Sequence, residues 1–93
     1  MGLGEEIIDM EEAEARVKEI AKKRVKEGEV IDVGVESTKL IETNNRMLIY
    51  EIEGYAIYTV GRGVINGKKL FRAQVHATTG KVIGFQEVAG PEI

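Results

Sequence analysis

His76 is the only histidine in the chain, and histidine is the side chain best suited to moving protons near neutral pH. Beside a carboxylate it can act as a general base or hold a metal ion. Strand pairing deduced from the turn residues puts His76 in a row with Asp32, Ile57 and Val82, on the sheet face turned away from the helix. Ile57 separates it from Asp32, and no second histidine or cysteine nucleophile joins them. The combination points to a partly exposed sheet residue, so no catalytic residue is expected. Gly61, Gly63 and Gly67 in GRGVING imitate a phosphate-cradling loop. Their spacing is not that of the nucleotide-binding fingerprint and no helix follows, so they read as hairpin flexibility or a bulge. Glu5, Glu6, Asp9, Glu11, Glu12 and Glu14 lack the loop spacing and glycine of an EF-hand. They read as the solvated start of a helix, and neither a metal nor a cofactor is expected.

The elements that must position these residues come from a chain of 93 residues, room for one domain spanning 1–93. Apolar residues make up 43% and charged residues 31%, an ordinary balance for a folded protein. Without cysteine there is no disulfide and no thiolate zinc site, so packing, aided by oligomerisation, must supply the stability. The net charge of -3 disfavours a phosphate backbone as partner, and no nucleic acid is expected. The first residues, Met1 to Ile8, carry no basic region followed by a long apolar one. No apolar run approaches the roughly 18 residues of a membrane span. A cytoplasmic location without membrane contact is the expectation.

After an N-terminal segment, 1–9, Asp9 and Glu12 have the spacing of a helix N-cap with a reciprocating carboxylate. Apolar residues then recur at Ala13, Val17, Ile20, Ala21 and Val25, and Gly28 can stop the helix in the left-handed conformation. The pattern predicts one amphipathic helix over 10–27. Acids at its start and Lys22, Lys23, Arg24 and Lys26 at its end suit the macrodipole, which explains the basic run without a ligand.

Beyond Gly28, Val, Ile, Tyr and Thr dominate, interrupted by three turn signals. A two-residue loop at Asn44 and Asn45 places Ile31 opposite Tyr58 and Val33 opposite Ala56. A loop at Asn66 and Gly67 places Tyr58 opposite Val75 and Val60 opposite Ala73. A three-residue loop at Thr78, Thr79 and Gly80 places Val75 opposite Ile83 and Ala73 opposite Phe85. All three put the same residues on one face: Ile31, Val33, Val35, Leu48, Tyr50, Ile52, Ala56, Tyr58, Val60, Phe71, Ala73, Val75, Ala77, Ile83 and Phe85. The fold predicted is therefore α+β, an N-terminal helix packed on a curved four-stranded antiparallel meander over 30–88, with a tail at 89–93. It requires one long strand over 46–60, eased by Gly54 through close helix approach or a bulge. A turn at Glu53 and Gly54, giving five shorter strands, is the alternative.

The first hairpin is apolar on both faces near its tip. The assumed register sends Leu40, Met47 and Ile49 to the outer face and Ile41 and Leu48 to the inner one. Strands of about 14 residues reach roughly 46 Å whereas an 18-residue helix covers about 27 Å, so the hairpin should project beyond the helix. An exposed apolar patch of that kind marks an interaction surface. The competing expectation is that Leu3, Ile7 and Ile8 fold back over it. Tyr50, Tyr58 and Phe71 could instead border a small-molecule pocket between helix and sheet.

The closing hairpin, Phe71 to Ile83 with the turn Thr78, Thr79, Gly80 and Lys81, resembles that of PepSY domains, small modules named for peptidase and spore-coat proteins. The alanine-bearing helix, with Ala13, Ala15, Val17, Ile20 and Ala21 ahead of antiparallel strands, is similar as well. The architecture is also similar to cystatin-like folds. The resemblance implies a noncatalytic binding or inhibitory module acting on a protein partner. Joined to the hairpin argument, it predicts a protein-binding or regulatory module that self-associates as a homodimer through residues 38–50. A small-molecule binding domain is the alternative.

Overall fold

The computed structural model describes residues 6–61 and 65–88. Leu3, Glu5, Gly63 and the 89–93 tail, which the sequence reading used, lie outside the described residues. One helix, α1 (Met10–Arg24), packs on a sheet of four antiparallel strands. These are β1 (Glu29–Glu42), β2 (Leu48–Val60), β3 (Ile65–His76) and β4 (Val82–Val88), side by side in chain order. β2 runs without a break through Gly54, so the long-strand reading holds and the five-strand alternative does not. Among the described residues no helix is long and apolar enough to cross a membrane.

The apolar stripe of α1 forms as its spacing dictates: Ala13, Val17, Ala21 and then Val25 are buried against the sheet. Small alanines let the helix lie close, while Val17, Ile52 and Val75 are the largest fully buried side chains. Each such burial stabilises the fold by about 1.5–3 kcal/mol relative to exposure. The helix ends at Arg24, not at residue 27. Val25 is extended, with φ -78° and ψ 117°, and its N–H donates to Ala21 O at 3.2 Å. Gly28 takes no left-handed conformation; a Cβ there would overlap Thr59 O and meet Val60 Cγ1 at 2.7 Å. Close passage of the chain over the end of β2 is what requires glycine. Asp9 makes no side-chain cap bond. Along the helix Glu12 pairs with Arg16 at 2.8 Å and Glu19 with Lys22 at 3.4 Å, while Glu14 accepts a 2.6 Å bond from Thr38 Oγ1 and ties the helix to β1.

The register differs from the one deduced from turns, for identifiable reasons. In the middle of the first hairpin Val33 does pair with Ala56. Near the tip the loop has three residues, not two. Arg46, at φ 63°, takes the left-handed position, Arg46 N–H donates to Thr43 O, and Thr43 N–H donates to Met47 O, each at 2.9 Å. Thr43 Oγ1 takes the Met47 N–H at 3.2 Å. This extra residue shifts the tip pairs to Ile41 with Ile49 and Leu40 with Tyr50. A bulge between Val35 and Ser37 absorbs the shift, and a second between Val30 and Asp32 brings Val30 opposite Tyr58. Ile31 is thereby expelled from the predicted core and is 57% exposed.

The second hairpin turns beyond Val60 and Ile65, so Asn66 and Gly67 belong to β3. Tyr58 faces Gly67, and a Cβ on Gly67 would overlap the Tyr58 ring. The third turn keeps Gly80 left-handed, at φ 79°, but its closing bonds are Gly80 N–H to His76 O and His76 N–H to Lys81 O, both 2.8 Å. The resulting loop is one residue longer than predicted. A register shift after Gln74 compensates: Val75 faces Val82, Ala73 faces Phe85 as expected, and Ile83 is 45% exposed instead of buried.

Gly54 faces Phe71, and a Cβ on Gly54 would overlap the Gly34 carbonyl oxygen and meet Phe71 Cζ at 2.9 Å. The close neighbours are thus backbone and an aromatic ring stacked on Phe85 with centroids 5.2 Å apart. Farther along, Lys69 on β3 links Glu27 at 2.7 Å to Glu87 on β4 at 3.5 Å. The Lys69 hydrogen bond holds the Glu27 carboxyl below its ordinary pKa, and the Glu27 bond in turn raises Lys69.

Gly54→Ala is expected to cost about 1–3 kcal/mol in chemical denaturation, because the methyl meets backbone that cannot yield. Gly67→Ala should cost less, since the Tyr58 ring can swing aside; equal costs would contradict this packing. The Glu27 contribution is present above its unfolded-state pKa and is lost as pH falls through the lowered folded-state value. That of Lys69 is present below its unfolded-state pKa and is lost as pH rises through its raised one. Solvent weakens this part-exposed pair, so the effect is small. The stability advantage of the wild type over Glu27→Gln should hold at neutral pH and vanish in acid. An advantage unchanged in acid would show that the pair is not its source.

Candidate functional site

Alternation along β2 sends Leu48, Tyr50, Ile52, Gly54 and Ala56 toward the helix and Ile49, Glu51, Glu53, Tyr55 and Ile57 away from it. His76 pairs with Ile49, so it lies on the outer face as expected. Its row is Ile41, Ile49 and His76, however, whereas Asp32 pairs with Ile57 and Ile57 with Lys68. The deduced row of His76 with Asp32, Ile57 and Val82 does not exist, because the true turn of the second hairpin lies earlier than Asn66. The ring instead holds the third turn. Nδ1 accepts from Thr79 N–H at 3.3 Å and lies 2.8 Å from Thr78 Oγ1. Among the described residues no group of three or more histidine and carboxylate side chains is gathered where it could hold a metal.

Each of the three aromatic residues considered for a pocket has a packing role. Tyr50 is buried, and its hydroxyl donates to Ile8 O at 2.7 Å. Phe71 is buried against Phe85, and Tyr58 lies half-buried over Gly67. Two open depressions do exist. One of about 140 Å³ borders Phe71 and Gly54 together with Glu36, Glu53, Leu70, Arg72 and Val88, and one of about 130 Å³ lies between Ile20 and Arg24 of the helix and Val82 to Phe85. Both fall below the roughly 300–1,000 Å³ of small-molecule sites. The first is crossed by a paired charge: Arg72 Nε donates to Glu53 Oε2 at 2.9 Å, and a terminal guanidinium nitrogen lies 2.9 Å from the same oxygen.

The hairpin tip carries part of the exposed apolar surface; Met10 on the helix, Ile31 on β1, and Ile83 and Val88 on β4 are exposed as well. Leu48 is half-buried, and the N-terminal segment returns near it: Ala77 N–H donates to Leu48 O at 2.9 Å, and Ile8 N–H donates to Ala77 O at 2.8 Å. Ile8 packs against the core, whereas Ile7 stays 37% exposed. Ile49 is only 7% exposed, flanked by Ile41 and His76 on the adjacent strands, and Met47 is half-buried beside Thr43. Leu40 and Ile41 are 45% and 37% exposed. Their faces are the reverse of the expected ones. The three-residue loop sets Leu40 opposite the inward Tyr50 and Ile41 opposite the outward Ile49. At the tip the exposed apolar residues therefore sit on β1, an edge strand, rather than on β2.

This edge is the feature the turn-based reading missed. Hydrogen-bonded and non-hydrogen-bonded pairs alternate along an antiparallel ladder. Because Thr43 bonds Met47, Ile41 and Lys39 bond β2, and the N–H and C=O groups of Thr38, Leu40 and Glu42 point outward from the sheet. Among the described residues no strand pairs with that side of β1. The loop length, readable only from Arg46 adopting a left-handed conformation that arginine rarely takes, decides which residues these are. Compared with protein-family models, curated proteins and solved structures, the chain matches none of them.

Proposed function

We propose that this chain is a noncatalytic protein-binding or regulatory module, PepSY-like in kind, that self-associates through its first hairpin around residues 38–50. The observation that carries the reading is the pair Leu40 and Ile41, exposed on opposite faces of an edge strand. The molecule measures 56 × 22 × 17 Å, while a helix of 15 residues spans only about 22 Å. The sheet ends therefore extend past the helix, and Ile8 is bonded to Ala77 and to Tyr50 of β2 rather than to β1, leaving the β1 side to a partner. Apolar surface on an edge strand is what proteins ordinarily blunt, and its retention favours a binding role. Against an enzyme stand the turn-holding contacts of His76 and its distance in register from Asp32.

Sedimentation equilibrium over a wide concentration range tests this. The average mass of the wild type should rise with concentration, and Leu40→Lys combined with Ile41→Lys should return it to the monomer without changing the circular dichroism spectrum. Charges placed in the core of an interface oppose association, whereas on a free edge they are solvated. A wild type that stays monomeric throughout would overturn the self-association reading.

A further inference from the structure

The hydrogen-bonding pattern of the β1 edge selects a partner and a register, resting on the reading of the first hairpin as a self-association surface. We propose that the partner is a second copy of this chain, bound by antiparallel pairing of the two β1 edges about a two-fold axis at Leu40. The window available is short. The bulge between Val35 and Ser37 ends it on one side, and the loop that begins at Thr43 ends it on the other. Within it, Thr38, Leu40 and Glu42 offer their backbone groups outward, while Ser37, Lys39 and Ile41 are bonded to β2.

Continuous sheet faces and paired backbone groups leave few registers. Centring the axis on Leu40 pairs Leu40 with its copy, Thr38 with the second copy's Glu42, and Lys39 with the second copy's Ile41. All three outward-facing residues then exchange both N–H and C=O with the partner. Leu40 covers Leu40 on the helix side, and the aliphatic stem of Lys39 lies over the exposed Ile41 on the other. Centring it on Lys39 places two ammonium groups directly opposite each other and leaves Leu40 facing Thr38; like charges so placed are destabilising. Centring it on Ile41 sets Leu40 against Glu42 and runs Thr38 past the end of the partner strand into its loop. Charge, apolar cover and backbone pairing thus favour the same axis. The strand run is short, so the interface belongs among the small ones that form and part with concentration. An isologous pairing also uses the β1 edge of both copies and so closes as a dimer.

The native chain has no cysteine, so single substitutions read the register directly. Residues paired with their own copy in a hydrogen-bonded antiparallel pair have Cα atoms about 5.5 Å apart, within disulfide range. Two residues one step from the axis are separated by more than about 7 Å and cannot be bridged without backbone movement. Leu40→Cys, Lys39→Cys and Ile41→Cys are each oxidised mildly at a concentration where sedimentation shows the wild type associated. Leu40→Cys should give the covalent dimer, and the other two should remain largely uncrosslinked. Preferential cross-linking through position 39 or 41, or none at any of the three while the wild type associates, would overturn the edge pairing and leave self-association standing. A wild type that never associates would overturn both.

Discussion

The close approach of Gly54 of β2 to the Gly34 carbonyl of β1, which leaves no room for a Cβ, constrains much of what surrounds it. No side chain fits between them, and Phe71 from β3 occupies the space above Gly54, stacked in turn on Phe85 of β4. One contact thereby involves all four strands. Val35 pairs with Gly54, and the adjoining bulge at Glu36 is the local accommodation through which β1 passes from the loop-set register to the central one. Tyr58 over Gly67 and Tyr55 over Gly34 repeat the theme: a glycine is roofed by a ring from the residue directly opposite. Such pairs hold register because a slip of one step would set the ring against a Cβ.

These pairs also explain what could be read from the residues alone. The helix stripe was legible because Ala13, Val17, Ala21 and Val25 follow one period and all reach the core. The sheet face was legible because alternation survives errors of even size. The second hairpin is offset from the deduced pairing by the distance from Val75 to Gly67, an even step, so Phe71, Ala73 and Val75 still face inward. Asn66 and Gly67 carry a strong turn signal, but Gly67 serves as the floor beneath Tyr58, and tertiary packing overrides the local preference. The first and third loops each contain one residue more than expected, and bulges restore the pairing between. Ile31 and Ile83 stand at those irregularities, which is why two large apolar residues assigned to the core are exposed. Nothing in residue type distinguishes a bulged isoleucine from a packed one.

The same single-residue difference governs the candidate site. A two-residue loop would have put Leu40 outside and Ile41 inside; the three-residue loop reverses them and moves the exposed surface from the tip of β2 to the edge of β1. The tip residues named from the sequence divide in exposure. Ile49 is buried, Leu48 and Met47 are half-covered, and only Leu40 and Ile41 remain open. An edge strand joins these side chains to a row of backbone groups that no other strand pairs among the described residues, and it is this conjunction that makes the proposed partner a directional one.

Residue-resolved amide hydrogen exchange along β1, at low and at high protein concentration, tests this most directly. The ladder predicts that at low concentration the amides of Lys39 and Ile41, bonded to β2, are protected while those of Thr38, Leu40 and Glu42 exchange rapidly. With rising concentration the latter three should become protected together, Leu40 included. Amides of Thr38, Leu40 and Glu42 that stay equally exposed at every concentration, or that are already protected in the dilute monomer, would contradict the claim that this edge is a free surface awaiting its partner.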